Sequence, residues 1–330
     1  HRLLHVAILP QVAQDDHRSG GGLRIGFQRA QHLKTLHLAR LQRAWEKLPD
    51  YPANLVDPAH PFAADLNLVG EHSLLQLLDT TTSQGGRARL QQWLVQPTED
   101  AAQIRARQDI VRELVPLHSF RDHLALCGAL VARTGRWEGE RIVEWLQRQP
   151  ATAGLSHWVK LLGGLAVVNL TLASLYALDV LAPWWGLSFV LYLGLYSRKH
   201  GEARSLFRDA DYLEQALQHL RAVLLYLEQH HYSGTPHLAQ LCTPFWQAPH
   251  RPSVALRQII RLAGAASLQR NLITPLVNAL VPWDLYFANR LYQYKATIKT
   301  ELPAWLDIWY ELEALNALAH FGYLHPDYTF

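Results

Sequence analysis

The sequence that decides the fold lies at residues 72–115 and reads HSLLQLLDTTTSQGGRARLQQWLVQPTEDAAQIRARQDIVRELV. A run of leucines is followed by the hydroxyl-rich segment 80–83, and a second helix is predicted to start near Gly85. Pro97 is expected to end that helix, because proline has no backbone N–H with which to continue it. The helix has an apolar side and a basic side, formed by Leu90, Trp93 and Leu94 and by Arg87 and Arg89.

A third helix is predicted directly after this pair. Asp100, with Gln103 three residues later, has the spacing of an acidic capping box. The residues that follow keep helical spacing, namely Ile104, Arg107, Val111, Leu114 and Val115. From physical chemistry alone, residues 72–115 form a compact helical unit.

This residue string resembles the start of the core domain of the MutS mismatch-repair family. The matching positions are Leu78, Asp79, Thr81, Gly86, Leu90, Trp93, Leu94, Pro97, Ile104, Arg107, Val111 and Leu114. One departure is the pair Gln84 and Gly85, where Pro-Met is more common in relatives, and it is expected to affect a turn. The segment 61–68 before the motif, with Gly70 and Ser73, resembles the membrane-associated branch of MutS-like proteins.

The C-terminal part of the sequence carries a second resemblance to this family. It resembles the run that immediately precedes the MutS ATPase domain, through Trp283, Asp284, Trp305, Glu311, Glu313, Leu315 and Pro326. The resemblance implies a core and lever region without its C-terminal ATPase domain. The sequence has no Met, even at position 1, so we expect a fragment or a sequence from which modified Met residues were omitted.

Residues 160–198 change the character of the chain. Between Lys160 and Arg198 the only charged residue is Asp179. Residues 161–181 are about long enough to cross a hydrocarbon core, residues 183–186 predict a turn, and residues 187–196 return. With cations at both open ends, the segment from Leu161 to Ser197 predicts a transmembrane hairpin with both ends cytoplasmic. The alternative is a helical hairpin buried inside a soluble protein.

Two long helices are predicted as relays of movement, at residues 202–231 and 299–321. Residues 271–291 predict a kinked core helix because they contain Pro275 and Pro282, and a third membrane segment is the alternative. The two cysteines form no CxxC pair, and Cys127 is predicted to be a small core residue in a reduced protein.

No catalytic site is predicted. The sequence has no GxxxxGK[ST], GxSxG or HExxH motif. Asp79 and residues 80–83 are expected to cap helices, and Glu311 and Glu313 to lie on different sides of a helix. The net charge of +3 does not by itself imply a nucleic-acid surface. Candidate DNA contacts are Arg87, Arg89, Arg105 and Arg107, although a solvated helix face explains them equally well.

The sequence thus predicts an all-α, multi-helix MutS-like core and lever domain with an inserted apolar hairpin. The expected segments are 1–60 (N-terminal helix and linker), 61–158 (first part of the core), 159–200 (transmembrane hairpin) and 201–330 (second part of the core and lever). Family resemblance implies a motif role for Leu78, Asp79, Thr81, Gly86, Trp93, Pro97, Trp283, Asp284, Glu313 and Pro326.

The expected function is to couple an ATPase domain to DNA or to a membrane-associated partner in a process related to mismatch repair. This chain is expected to have no enzymatic activity and no cofactor, whereas the full-length protein would be a homodimeric, DNA-dependent ATPase that uses ATP and Mg²⁺. The predicted location is the cytoplasmic membrane with the domains facing the cytoplasm, or alternatively the cytoplasm. The alternatives are a soluble duplex-DNA-binding core and a structural membrane scaffold.

Overall fold

The computed structural model describes residues 21–49, 60–131, 137–147, 155–207, 210–247, 251–267 and 274–328. Within these ranges the chain is all-α, as predicted, and no strand is present. The helices are α1 Gly21–Gln42, the 3₁₀ helix Trp45–Lys47, α2 Leu74–Leu78, α3 Gln84–Val95, α4 Ala101–Leu114, α5 His118–Val131, α6 Gly139–Gln147, α7 Leu155–Ala177, α8 Trp185–Phe207, α9 Ala210–Gln229, α10 Pro236–Leu241, α11 Thr243–Trp246, α12 Pro252–Ser267, α13 Thr274–Leu280 and α14 Trp283–Leu324.

Local signals place the ends of the early helices. The Ser73 hydroxyl accepts a hydrogen bond from the Gln76 N–H at 3.2 Å and caps α2. The Asp100 carboxylate caps α4, as predicted, by accepting from the Ala102 N–H at 2.9 Å. The reciprocal bond of the predicted capping box is not the one formed, because the Asp100 N–H donates to the Thr98 hydroxyl at 3.3 Å rather than to Gln103. α3 ends at Val95, shortly before Pro97, so this boundary prediction is also confirmed.

The chain divides into two compact units. The first contains His1–Arg141, His219–Ser253 and Pro303–Phe330, and the second contains Ile142–Gln218 and Val254–Leu302. Helix α14 contributes residues to both units, and Pro303 lies inside it at the boundary. The predicted division at residues 60, 158 and 200 rests on composition and stays a prediction.

The core of the first unit joins the start of the described chain to its end. Apolar side chains of α2 and α3 pack against the last part of α14, in a cluster of Leu75, Leu78, Leu90, Ala314 and Ala317. α1 packs on α5, and α10 packs on α4. Burial of these side chains contributes about 25 cal/mol for each Å² of apolar surface removed from water.

The second unit contains the predicted hairpin, formed by α7 and α8 with a turn between Ala177 and Trp185. The base of the hairpin packs against the first turns of α14, in a cluster of Leu155, Leu162, Ala166, Tyr192, Tyr196, Leu285 and Ala288. Beyond that cluster the hairpin is exposed, with Val167, Leu178, Leu187 and Val190 all more than 60% accessible.

By length and composition alone, α7 is the one helix in the described ranges that could cross a membrane. Only 11% of its apolar 18-residue segment is buried. A core helix of a soluble protein can have the same length and composition, but it is mostly buried. The exposed apolar surface of this hairpin therefore needs a covering that the described chain does not supply.

Three predicted helix bounds were wrong. The last helix does not begin at Lys299: it begins at Trp283 and continues through Pro303, although proline has no backbone N–H to donate within the helix. Residues 271–291 do not form one kinked helix: α13 ends at Leu280 and α14 begins after Pro282. No helix begins at Glu202, because α8 runs through it to Phe207, and residues 208–209 lie outside the described ranges.

Candidate functional site: a buried carboxylate junction

Glu313 on α14 binds the turn that precedes α3, and we call the contact between Glu313, Thr82 and Ser83 the carboxylate junction. Glu313 Oε1 accepts hydrogen bonds from the Thr82 N–H at 2.9 Å and the Thr82 hydroxyl at 2.5 Å. Glu313 Oε2 accepts from the Ser83 N–H at 3.3 Å and from the Ser83 hydroxyl. Two backbone and two side-chain donors thus serve one carboxylate, although the residues they join are about 230 positions apart.

The carboxylate junction is closed to water. Glu313 is 6% exposed, and Thr82 and Ser83 are 8% and 0% exposed. Burial raises the pKa of Glu313, while the four hydrogen bonds from Thr82 and Ser83 act in the opposite direction by stabilising the charged form. The donors therefore offset part of the cost of placing a carboxylate in the core.

Close approach in the junction depends on glycine. A Cβ at Gly86 would overlap Glu313 Oε2, and a Cβ at Gly128 would overlap the Thr82 hydroxyl. A Cβ at Gly85 would overlap the ring of Tyr310, one turn before Glu313 on α14. The expectation that the Gln84 and Gly85 departure affects only a turn was therefore incomplete, because Gly85 lies in α3 and contacts α14.

The turn that Glu313 binds is itself well ordered by local bonds. The Ser83 hydroxyl accepts from the Gly86 N–H at 2.9 Å and caps α3, as predicted for this hydroxyl-rich segment. Asp79 accepts from the Thr81 N–H at 2.9 Å and the Thr81 hydroxyl at 2.6 Å. The Gln84 N–H donates to the Trp137 carbonyl at 2.9 Å, which attaches the turn to the segment before α6.

Three of the four candidate DNA-contact arginines have partners within the protein. Arg87 lies 4.0 Å from the buried Asp79 carboxylate. Arg89 forms an ion pair with Asp307 and lies 3.9 Å from Glu311, both on α14. Arg107 stacks over the Trp93 ring at 4.2 Å, while Arg105 is exposed. DNA contact by these residues stays a prediction.

The remaining family-motif residues fall into two groups. Leu78 lies in the core of the first unit. Glu311 is partly exposed whereas Glu313 is buried, so the prediction that the two lie on different sides of a helix is confirmed. Trp283 and Asp284 lie in the second unit, where Trp283 is 38% exposed and Asp284 is 2% exposed. Pro326 follows α14 and is exposed, and Thr81 is buried next to Asp79.

A small cavity lies beside the junction, with Glu313 itself in its wall. Its volume is about 30 Å³, and its walls include His37, Arg121, Asp122, Asn316 and His320. This is room for one or two water molecules rather than for an organic ligand. The rings of His37 and His320 are in contact, with centroids 4.0 Å apart.

Both cavity histidines are held neutral. Burial lowers the pKa of His37 to about 4, with further lowering by Arg40 and Lys34. Burial likewise lowers the pKa of His320 to about 2, with further lowering by His37 and Arg121. The contact between α1 and α14 at this point therefore requires two uncharged imidazole rings.

In the part of the chain that the structure describes, no group of three or more His, Cys, Asp or Glu could hold a metal ion. Cys127 is 4% exposed, and burial raises its pKa to about 12, so the prediction of a core residue is confirmed. The carboxylate junction is thus a structural joint between the middle of the chain and α14.

Sequence reasoning did not find the pairing of Glu313 with residues 82 and 83. Two signals could have indicated it: an acidic residue between Leu312 and Ala314 in an apolar helix, and a run of four hydroxyl residues. A buried carboxylate needs donors, and the hydroxyl run offers them. Neither signal identifies its partner from sequence spacing.

Comparison with known proteins identifies one family. The family model of MutS domain III matches residues 62–183, which include the Thr82–Ser83 half of the junction and all of α7. MutS domain III is a helical domain, in agreement with the fold. No curated protein and no solved structure matches the chain. Residues 62–183 of this chain are therefore similar to MutS domain III.

The carboxylate junction predicts a large stability difference between two neighbouring glutamates. Glu313→Gln should lower the free energy of unfolding by about 1 to 3 kcal/mol, because an amide nitrogen cannot accept from the Ser83 N–H. The matched control, Glu311→Gln, should cost about 0.5 kcal/mol or less, because Glu311 is accessible and 3.9 Å from Arg89. Urea unfolding measures both, and equal effects would contradict the role of the junction.

The cavity histidines predict a loss of stability in mild acid. Their pKa values are lowered in the folded state, so the unfolded chain takes up protons first as the pH falls below about 6.5. Each histidine should therefore cost about 2 kcal/mol of unfolding free energy between pH 6.5 and 5. His320→Gln should remove much of this pH dependence in urea titrations. His231→Gln, at an exposed position, should leave it unchanged, and an unaltered profile in His320→Gln would refute the assignment.

Proposed function

We propose that this chain is the helical core of a MutS-like protein related to mismatch repair, and that it transmits the movements of an ATPase domain to a membrane-attached hairpin. The observation that carries the proposal is the placement of α14. This 42-residue helix supplies buried residues to both units. In the second unit it packs on the hairpin through Leu285 and Ala288, and in the first it enters the carboxylate junction.

A helix with both parts anchored is suited to carry movement along its axis. Near one end, Asp284 accepts a hydrogen bond from Tyr196 of α8, and toward the other Glu313 is bound by the Thr82–Ser83 turn. Pro303 removes one backbone hydrogen bond between these anchors and supplies the point at which the helix bends most easily. In this proposal α14 replaces the separate relay helix 299–321 as the principal lever.

The ATPase domain is a further part of this proposal. The resemblance of residues 282–330 to the run before the MutS ATPase domain implies that ATP and Mg²⁺ bind there, and that the present chain contributes no catalytic group. Proteins of the MutS family typically act as dimers on DNA, so the working form would be a homodimer. ATP-driven changes in the dimer would then reach the helical core through the C-terminal end of α14.

The partner held by this core is proposed to be a membrane rather than duplex DNA. The hairpin exposes large apolar side chains at both helices and at its turn, including Leu170, Leu178, Leu187 and Val190. Exposed Lys160 and Arg198 at its open end would meet the lipid headgroups, with the helical units on the cytoplasmic side. Of the arginines considered for DNA, Arg105 alone is exposed, so a phosphate-binding row is less well supported.

Coupling is tested in the complete protein that carries the ATPase domain. Vesicle binding should change its rate of ATP hydrolysis, and Glu313→Gln should reduce that response at least severalfold, because the junction no longer holds α14. Glu311→Gln is the matched control and should respond like the unaltered protein. The proposal fails if Glu313→Gln responds normally, or if the gene encodes no Walker motif downstream of codon 330.

Membrane attachment is tested by flotation with phosphatidylcholine and phosphatidylglycerol vesicles. Val167→Asp, at a 63% exposed position of α7, should reduce vesicle partitioning at least tenfold, since a charge in the hydrocarbon core is costly. Val254→Asp, at a 51% exposed position of α12, should have no such effect. Failure of the unaltered protein to float, together with salt-dependent binding to duplex DNA, would favour the soluble DNA-binding alternative.

A further inference from the structure

The corner between α13 and α14 exposes a second apolar surface in the second unit. Four large apolar side chains lie within seven positions of the chain and are strongly accessible: Leu280 at 58%, Val281 at 45%, Trp283 at 38% and Tyr286 at 43%. We call these four residues the apolar corner. Single exposed apolar residues are ordinary, but a group this dense, next to a hairpin that is also apolar, indicates a covered surface.

Asp284 and Asn278, the polar residues next to the apolar corner, form hydrogen bonds inside the second unit. Between Arg270 and Arg290 the only charged residue is Asp284. Its carboxylate accepts a hydrogen bond from the Tyr196 hydroxyl at 3.2 Å, and its backbone N–H donates to the Asn278 side-chain carbonyl at 3.1 Å. The Asn278 backbone carbonyl accepts from the Tyr192 hydroxyl at 2.6 Å. The exposed Arg290 lies at the C-terminal edge of the apolar corner, with its guanidinium 6.0 Å from the centroid of the Tyr286 ring.

Tyr192 and Tyr196 belong to the hairpin, so the apolar corner is attached to it. Leu285, which lies between Trp283 and Tyr286, and Ala288, two residues after Tyr286, pack with Leu162 and Ala166 of α7. The apolar corner therefore lies beside the base of the hairpin. The first exposed charge on α14 is Arg290, which follows Trp283 by about 10 Å along the helix.

We propose that the apolar corner is a second, shallow lipid-contacting surface that enters the bilayer interface beside the hairpin. The proposal rests on the proposed insertion of the hairpin. Trp283 and Tyr286 are of the type that favours the interfacial region, and Arg290, like Lys160 and Arg198, is placed to meet the headgroups. The seven-residue α13 is far too short to span, so the corner inserts without crossing.

The experiment compares an environment-sensitive fluorophore at three valines that are all exposed, at 45% to 63%. Val281→Cys reports the apolar corner, Val180→Cys the hairpin turn, and Val254→Cys serves as the matched control at 51% exposure. The native Cys127 and Cys242 are buried, and burial raises the pKa of each thiol to about 12, so they should not be labelled at neutral pH. The labelled proteins are mixed with phosphatidylcholine and phosphatidylglycerol vesicles that carry spin-labelled quenchers in the acyl chains.

The probes at Val180 and Val281 should shift to the blue and lose at least half of their intensity to the quencher, whereas the probe at Val254 should not change. Quenching at Val281 should be stronger with a shallow than with a deep spin label. If Val180 is quenched and Val281 behaves like Val254, the inference about the corner is wrong while hairpin insertion stands. If neither is quenched, the proposed membrane attachment fails as well. A blue-shifted Val281 probe without vesicles, dependent on protein concentration, would assign the corner to contact between copies and overturn the proposal.

Discussion

The need of one buried carboxylate for hydrogen-bond donors organises the first unit. Glu313 is removed from water, and an ionised carboxylate without partners in such a place would cost far more than a typical domain can spare. Thr82 and Ser83 each supply a hydroxyl and a backbone N–H. That requirement brings the turn before α3 against the last part of α14. It also explains the glycines at positions 86 and 128, where a Cβ would overlap Glu313 and Thr82.

The second unit also contains a buried acidic residue of α14, but here the residues around it are exposed and apolar. Asp284, also on α14, is buried and receives a hydrogen bond from Tyr196 of the hairpin. One oxygen of this carboxylate is bound inside the unit, while the surface around it is apolar, as Val281 and Trp283 show. One helix therefore carries two buried acids, which attach it to the family-matched turn in one unit and to the hairpin in the other.

The arginines illustrate how the fold changes the meaning of a charge pattern. In the sequence, Arg87, Arg89 and Arg107 alternate with apolar residues and suit a phosphate-binding face. In the folded protein they face Asp79, Asp307 and the Trp93 ring. The fourth candidate, Arg105, is exposed, as are Lys160 and Arg198 beside the hairpin.

The sequence by itself determined the features that depend on neighbours a few residues away. Apolar spacing predicted the all-α class, and the cap at Asp100 and the end of α3 before Pro97 follow from local hydrogen bonding. The apolar segment whose only charge is Asp179 predicted the hairpin. Tertiary structure alone decided that Glu313 meets Thr82 and Ser83, that Gly85 contacts Tyr310, and that α14 continues through Pro303. These depend on side chains far apart in the chain, whose pairing is selected by packing and desolvation rather than by spacing.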